Sequence, residues 1–153
     1  MRAFHFRLQA LLNLREIARE EALTAYAKSI RRRELEEKEL AACSDRLEKL
    51  RQEISVRRSE GFTGAEQSTY LRAVSLAKDR IERQRGKLER SRRSEEEARS
   101  GFLKADGDEK SLTRLKERRE EEHFSTELKK EERELEDVIS TRYCTKNDNQ
   151  ATL

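Results

Sequence analysis

The chain contains no proline and no tryptophan, and only five glycines in 153 residues. Proline breaks helices and glycine weakens them, so their scarcity removes the punctuation of a many-element domain and leaves room for very long helices. Aromatic residues make up only 5% of the chain, which, with 33% hydrophobic residues overall, is too little to fill a sizeable core. The two cysteines, Cys43 and Cys144, stand far apart without neighbouring His or Cys, which argues against a disulfide framework or a metal site and fits a reducing compartment. No apolar run approaches the roughly 20 residues needed to span a bilayer. Even the N-terminal stretch is interrupted by Arg7, Gln9, Asn13 and Arg15.

Charge is what the chain has in abundance. There are 35 basic and 32 acidic residues, 44% of the total, for a net charge of +3. Glu, Lys, Arg, Leu and Ala in these proportions describe long exposed helices, and the near balance means that any electrostatic partner must be sought in local patches. The first 15 residues are basic and amphipathic, as in a transit peptide, but the pattern runs without a seam into the first helix, which favours a structural role.

Two heptad patterns, broken once, organise the sequence. Alternating steps of four and three pick out Leu8, Leu12, Arg15, Arg19, Ala22, Tyr26, Ser29, Arg33, Glu36, Leu40, Cys43, Leu47, Leu50 and Ile54. The same steps then pick out Tyr70, Val74, Ala77, Ile81, Gln84, Leu88, Ser91, Glu95, Ala98, Phe102, Ala105, Glu109 and Leu112. Between them Gly61 can adopt the left-handed conformation that ends a helix, and Thr63 and Glu66 have the spacing of a capping box; with Gly64 they form the expected corner. The fold predicted is all-α: one long antiparallel two-helix coiled-coil hairpin over residues 1–143, with helices at about 4–60 and 64–142, and a disordered tail over 144–153.

Folding the patterns back on the corner brings every seam position opposite another. Ile54 meets Tyr70, Leu50 meets Val74, Leu47 meets Ala77 and Cys43 meets Ile81; toward the termini Tyr26 meets Ala98, Ala22 meets Phe102, Arg15 meets Glu109 and Leu12 meets Leu112. In the middle, Ser29, Arg33 and Glu36 face Glu95, Ser91 and Leu88, so a loose waist with its charges at the wet edge is expected. Asp106, Gly107 and Glu109 offer a second place to break, but the heptad phase from Phe102 through Leu112 favours a continuous helix. Beyond about residue 120 the second helix is expected to outrun its neighbour, leaving Phe124, Leu128, Leu135, Val138 and Ile139 as an apolar stripe that needs an outside partner.

Nothing in the sequence supports catalysis: there is no phosphate-binding glycine loop, no metal-ligand cluster and no nucleophile with a base. No cofactor and no small-molecule substrate are expected. The basic residues Arg31 to Arg33 and the run Arg80 to Arg93, which Glu82 and Glu89 interrupt, lack stacking aromatics or a base-reading module, so nucleic-acid binding is not expected. The terminal segments differ in charge, with Met1 to Arg33 basic and Glu117 to Asp137 acidic, a bias that favours their antiparallel pairing. Phe4, Phe6, Leu8, Leu11 and Arg15 lie at that same end and join the stripe as a candidate partner-binding surface.

The opening Phe4-His5-Phe6-Arg7-Leu8-Gln9-Ala10-Leu11-Leu12-Asn13-Leu14-Arg15, followed by Glu20-Glu21-Ala22, resembles the opening of the bacterial flagellar export protein FliJ family. The segment after the corner at Tyr70-Leu71 and the stretch Lys110 to Arg118 before an acidic helix also resemble that family. The resemblance implies a noncatalytic stalk of the flagellar type III export apparatus, cytoplasmic and peripheral to the inner membrane. It would dock in and stimulate a hexameric export ATPase and couple it to the membrane export-gate receptor protein, with export chaperones as further partners in a pathway that serves motility. The matching residues Phe4 to Arg15 and Leu112 to Ile139 would form the end inserted into the ATPase ring. Gly107 between acids departs from the uninterrupted late helix of the family. An injectisome stalk and a structural coiled-coil adaptor without an export role are the alternatives.

Overall fold

A computed structural model of the chain describes residues 3–150, with side chains described for residues 3–144. Two helices, α1 (Gln9–Glu60) and α2 (Gly64–Gln150), pack against each other as a two-helix hairpin, and no strand occurs among the described residues.

The corner forms as the sequence predicts. Gly61 has φ of 84°, a conformation strained for residues with a side chain, and its N–H donates back to the Arg58 carbonyl at 3.3 Å. Thr63 then caps α2: the Thr63 N–H donates to the Glu66 carboxylate at 2.8 Å, and the Glu66 N–H donates to the Thr63 hydroxyl at 3.3 Å. These are the two reciprocal bonds of a capping box. Phe62 folds down so that its ring meets Tyr70 edge-on at 5.8 Å.

The helices differ from expectation at their outer ends. Helix α1 starts at Gln9 rather than near residue 4, with the Gln9 N–H donating to the Phe6 carbonyl at 3.1 Å. Phe6 is buried in a non-helical lead-in that turns at Arg7 and Leu8, and aromatic residues gain little from helix formation itself. Helix α2 passes without interruption through Gly107, where Asp106 pairs with Lys110 within the helix at 2.6 Å, and reaches Gln150. That is past the expected end near residue 142; the rest of the expected tail, 151–153, lies outside the described residues.

The chain divides into two compact units. One is Ala18–Ala105, containing the corner; the other combines Met1–Ile17 with Asp106–Leu153.

Within Ala18–Ala105 every seam position named from the heptads is buried or half-buried. The apolar core is Cys43, Leu47 and Ile81, with Leu40, Val74 and Ala77 packed against it. Each fully buried aliphatic side chain contributes about 1.5–3 kcal/mol, so this cluster anchors the corner half of the seam. Tyr26, expected opposite Ala98, leans one turn along to stack on Phe102 with centroids 6.2 Å apart, and the Arg19 guanidinium lies 5.7 Å from the same ring.

The charges of the waist stay at the wet edge, as the sequence predicts, with the Arg33 side chain 25% and that of Glu95 20% exposed. They are nevertheless paired there: Arg33 is hydrogen-bonded to Glu95 across the seam and to Glu37 at 2.9 Å along its own helix. Gln84, only 5% exposed, donates to the Glu36 carbonyl at 3.2 Å and to its carboxylate, while Leu88 and Ser91 are buried beside it. Around the buried Gln84 low dielectric makes such bonds stronger and their loss costlier than at the surface. The bonds from Glu95 and then Glu37 raise the Arg33 pKa, and the bond from Arg33 holds the Glu37 carboxyl below its ordinary range.

Two outcomes test this architecture. With Cys43 and Cys144 replaced by alanine, Leu50→Cys paired with Val74→Cys should form a disulfide readily. Leu50→Cys with Arg72→Cys should not, because cysteines whose Cα atoms lie beyond about 7 Å cannot bridge without moving the backbone; equal yields would refute the seam register. Thr63→Ala should lower unfolding stability by about 1 kcal/mol in denaturant titration. The bonds to the Thr63 backbone and hydroxyl depress the Glu66 pKa below 4.5. Its contribution is therefore complete above that value and is lost as pH falls through the depressed one. The stability difference between Thr63→Ala and the parent should shrink under strong acid, and a difference that grows there would be contrary to the capping box.

Candidate partner-binding surface

The second compact unit is built around the chain's lead-in segment. Phe6 (8% exposed) and Leu12 (3%) are its buried hydrophobic residues, and Phe4 to Leu8 lie against the α2 face formed by Leu115, Arg119, Glu122, His123, Thr126 and Glu127. They border an open cleft of about 830 Å³. The Phe4 ring meets His123 with centroids 5.7 Å apart, and Arg15 pairs with Asp108 at 3.1 Å, one residue from the expected Glu109.

This arrangement corrects the expectation that α2 has no neighbour beyond residue 120. The buried line of α2 continues through Leu112, Lys116, Glu120, His123, Glu127 and Glu131, and the lead-in segment covers part of it. Glu127 is only 8% exposed and is bonded by the Lys130 ammonium at 2.8 Å. The cover is a non-helical segment rather than a helical neighbour, which a heptad count cannot register.

The apolar stripe lies on a different side of α2. Phe124, Leu128, Leu135 and Ile139 recur at steps of four and seven, hence on one face, with Val138 beside them. Their exposures run from 45% for Phe124 to 63% for Leu135. Four of the five candidates from the N-terminal segment divide in the same way: Leu8 and Leu11 are exposed, as is Arg15, whereas Phe6 is turned inward. Phe4 is half-buried against His123. Phe6 is thus a core residue of this unit, and its large apolar ring explains why it is sequestered ahead of its neighbours.

Sequence reasoning passed over Leu14 and Ile17, which follow Leu11 at three-residue steps and are 63% and 56% exposed, and Tyr143 at 70%. Their signal was available, since all lie off the seam and so have no partner within the hairpin. Several large apolar side chains clustered on one unit mark an interaction surface more strongly than scattered ones do. Among the described residues, no helix is long and apolar enough to cross a membrane.

The flagellar FliJ protein family matches residues 4–148, almost the whole described chain and both elements of the terminal unit. No curated protein and no solved structure matches the chain. The continuous match from the Phe4 lead-in to the end of the acidic helix, on an all-α two-helix hairpin, places the chain in the FliJ family, whose members are components of the flagellar export apparatus.

Proposed function

We propose that the protein is a noncatalytic stalk of the flagellar export apparatus that docks in a hexameric export ATPase, stimulates it and couples it to the membrane export gate. It acts from the cytoplasm, peripheral to the inner membrane. The observation that carries this reading is the exposed apolar surface of the terminal unit: Phe124, Leu128, Leu135, Val138 and Ile139 on α2, with Leu8 and Leu11 on the N-terminal side. Burying each such side chain against a partner is worth about 1.5–3 kcal/mol, enough for a few of them to dominate an interface. Arg15, held by Asp108, would add a charged contact at the margin, and Phe4 and Phe6 would stiffen the surface from beneath.

A long hairpin suits such a role. Helices that carry their own seam need nothing from the ATPase to fold, so the whole terminal surface is free for binding. ATP chemistry then belongs to the ring, and the stalk contributes position and an asymmetric surface.

Truncation must respect the lead-in segment. Ending the chain at Glu122 would strip His123, Thr126 and Glu127 from around Phe4 to Leu8 and disturb the fold as well as the surface. Ending it after Glu131 removes Leu135, Val138 and Ile139 and keeps that packing. The shortened protein should unfold at nearly the parent temperature and remain at the parent oligomeric mass. Its stimulation of the export ATPase should fall at least about tenfold, as expected when several interface anchors are lost. Full stimulation would refute the contact, and a drop in mass would show that the stripe joins copies of the chain instead.

A further inference from the structure

The waist of the Ala18–Ala105 unit carries a second seam on its outside. Beside the buried line of α2, Ala73, Leu76, Arg80, Arg83, Lys87 and Arg90 recur at alternating steps of three and four, and they line adjoining grooves between α1 and α2. Such spacing keeps side chains on one face along a helix and matches the repeat of a further helix laid alongside.

The cations on this face are not neutralised by the ion pairs along α2. Arg85, Arg92, Arg93 and Arg99 are paired with Glu82, Glu37, Glu89 and Glu96. Arg80, Lys87 and Arg90 have no ion-pair partner among the described residues, and Arg83 bonds only to the Asp79 carbonyl of its own helix. Arg32 adds a further cation from the α1 wall. Only two carboxylates line the grooves, Glu36, which accepts from Gln84, and Glu39, which lies 3.8 Å from Arg46, so cations outnumber them. Toward the corner the groove becomes apolar, with Leu76 58% exposed above Ala73, Ala77 and Cys43.

From this pattern we infer that the groove is a docking site for an acidic amphipathic helix of a partner protein, laid as a third strand, with apolar residues against Ala73 and Leu76 and carboxylates against Arg80 to Arg90. Complementary charge supplies attraction and register, and the apolar end supplies an anchor. A nucleic-acid backbone has no use for the apolar end, and no aromatic residue lines the groove to stack a base. The site is separate from the terminal surface and stands whether or not that surface binds an ATPase.

The test uses the full-length protein and a synthetic helical peptide carrying two leucines followed by four glutamates at heptad spacing. A second peptide has glutamine in place of each glutamate, and a DNA duplex serves as a third probe. In fluorescence anisotropy at low salt the acidic peptide should bind at least about tenfold more tightly than the glutamine peptide and weaken as salt rises, since several exposed charge pairs each contribute modestly. Lys87→Gln with Arg90→Gln should cost about tenfold, and Leu76→Ala severalfold, without moving the thermal unfolding midpoint of these exposed positions. Equal binding of the two peptides overturns the proposal. So does tighter binding of DNA that is indifferent to Leu76→Ala, and so does a change in the protein's own oligomeric mass on Lys87→Gln with Arg90→Gln, which would make a second copy the occupant.

Discussion

The heptad seam between α1 and α2 is the constraint on which the rest depends. A helix of 52 residues with so few apolar side chains has no stable surface to itself, and α2, with 87 residues, is no better placed. Each supplies the other's missing wall. Helical propensity is high along both, but most helical stability in proteins comes from packing one face, and here that face is a single line of side chains. The corner then sets the register. Gly61 turns the chain, and the Thr63 and Glu66 capping box starts α2 at a defined residue, so the seam positions meet in phase.

Along the seam, stability and specificity are supplied by different residues. Cys43, Leu47 and Ile81 bury apolar surface near the corner. Farther along, Arg33, Glu95, Gln84 and Glu36 exchange hydrogen bonds in a partly buried row. Partly exposed ionic groups of this kind add little net stability, because solvent screens their attraction, but a mismatched register would leave them without partners. The polar row therefore penalises slippage where the apolar core alone would tolerate it.

The terminal unit follows a different logic. Its lead-in segment satisfies the buried line of α2, and having done so leaves an adjacent face uncovered. Phe124, Leu128, Leu135 and Ile139 remain exposed. Phe6 is buried a few residues from Leu8 and Leu11, which are not. Exposed apolar side chains thus lie beside a packed core within one unit, and it is on them that the proposed partner contact rests.

The amino-acid sequence by itself determined the helix seam, the corner and the capping residues. Those features arise from local rules: a 3.5-residue repeat, a glycine free to take positive φ, and a threonine placed three residues before a glutamate. It also marked the stripe from Phe124 to Ile139, though by expecting α2 to outrun its neighbour, whereas the stripe is exposed because it lies off the line that the lead-in segment covers. Only the tertiary structure decided that Phe6 turns inward, that the segment before Gln9 is non-helical and lies against α2, and that Arg33 pairs with Glu95 across the waist. The physical reason is common to all three. Each depends on which side chains a neighbouring element brings within hydrogen-bonding or packing distance, and a one-dimensional repeat specifies which face a residue occupies but not what that face will meet.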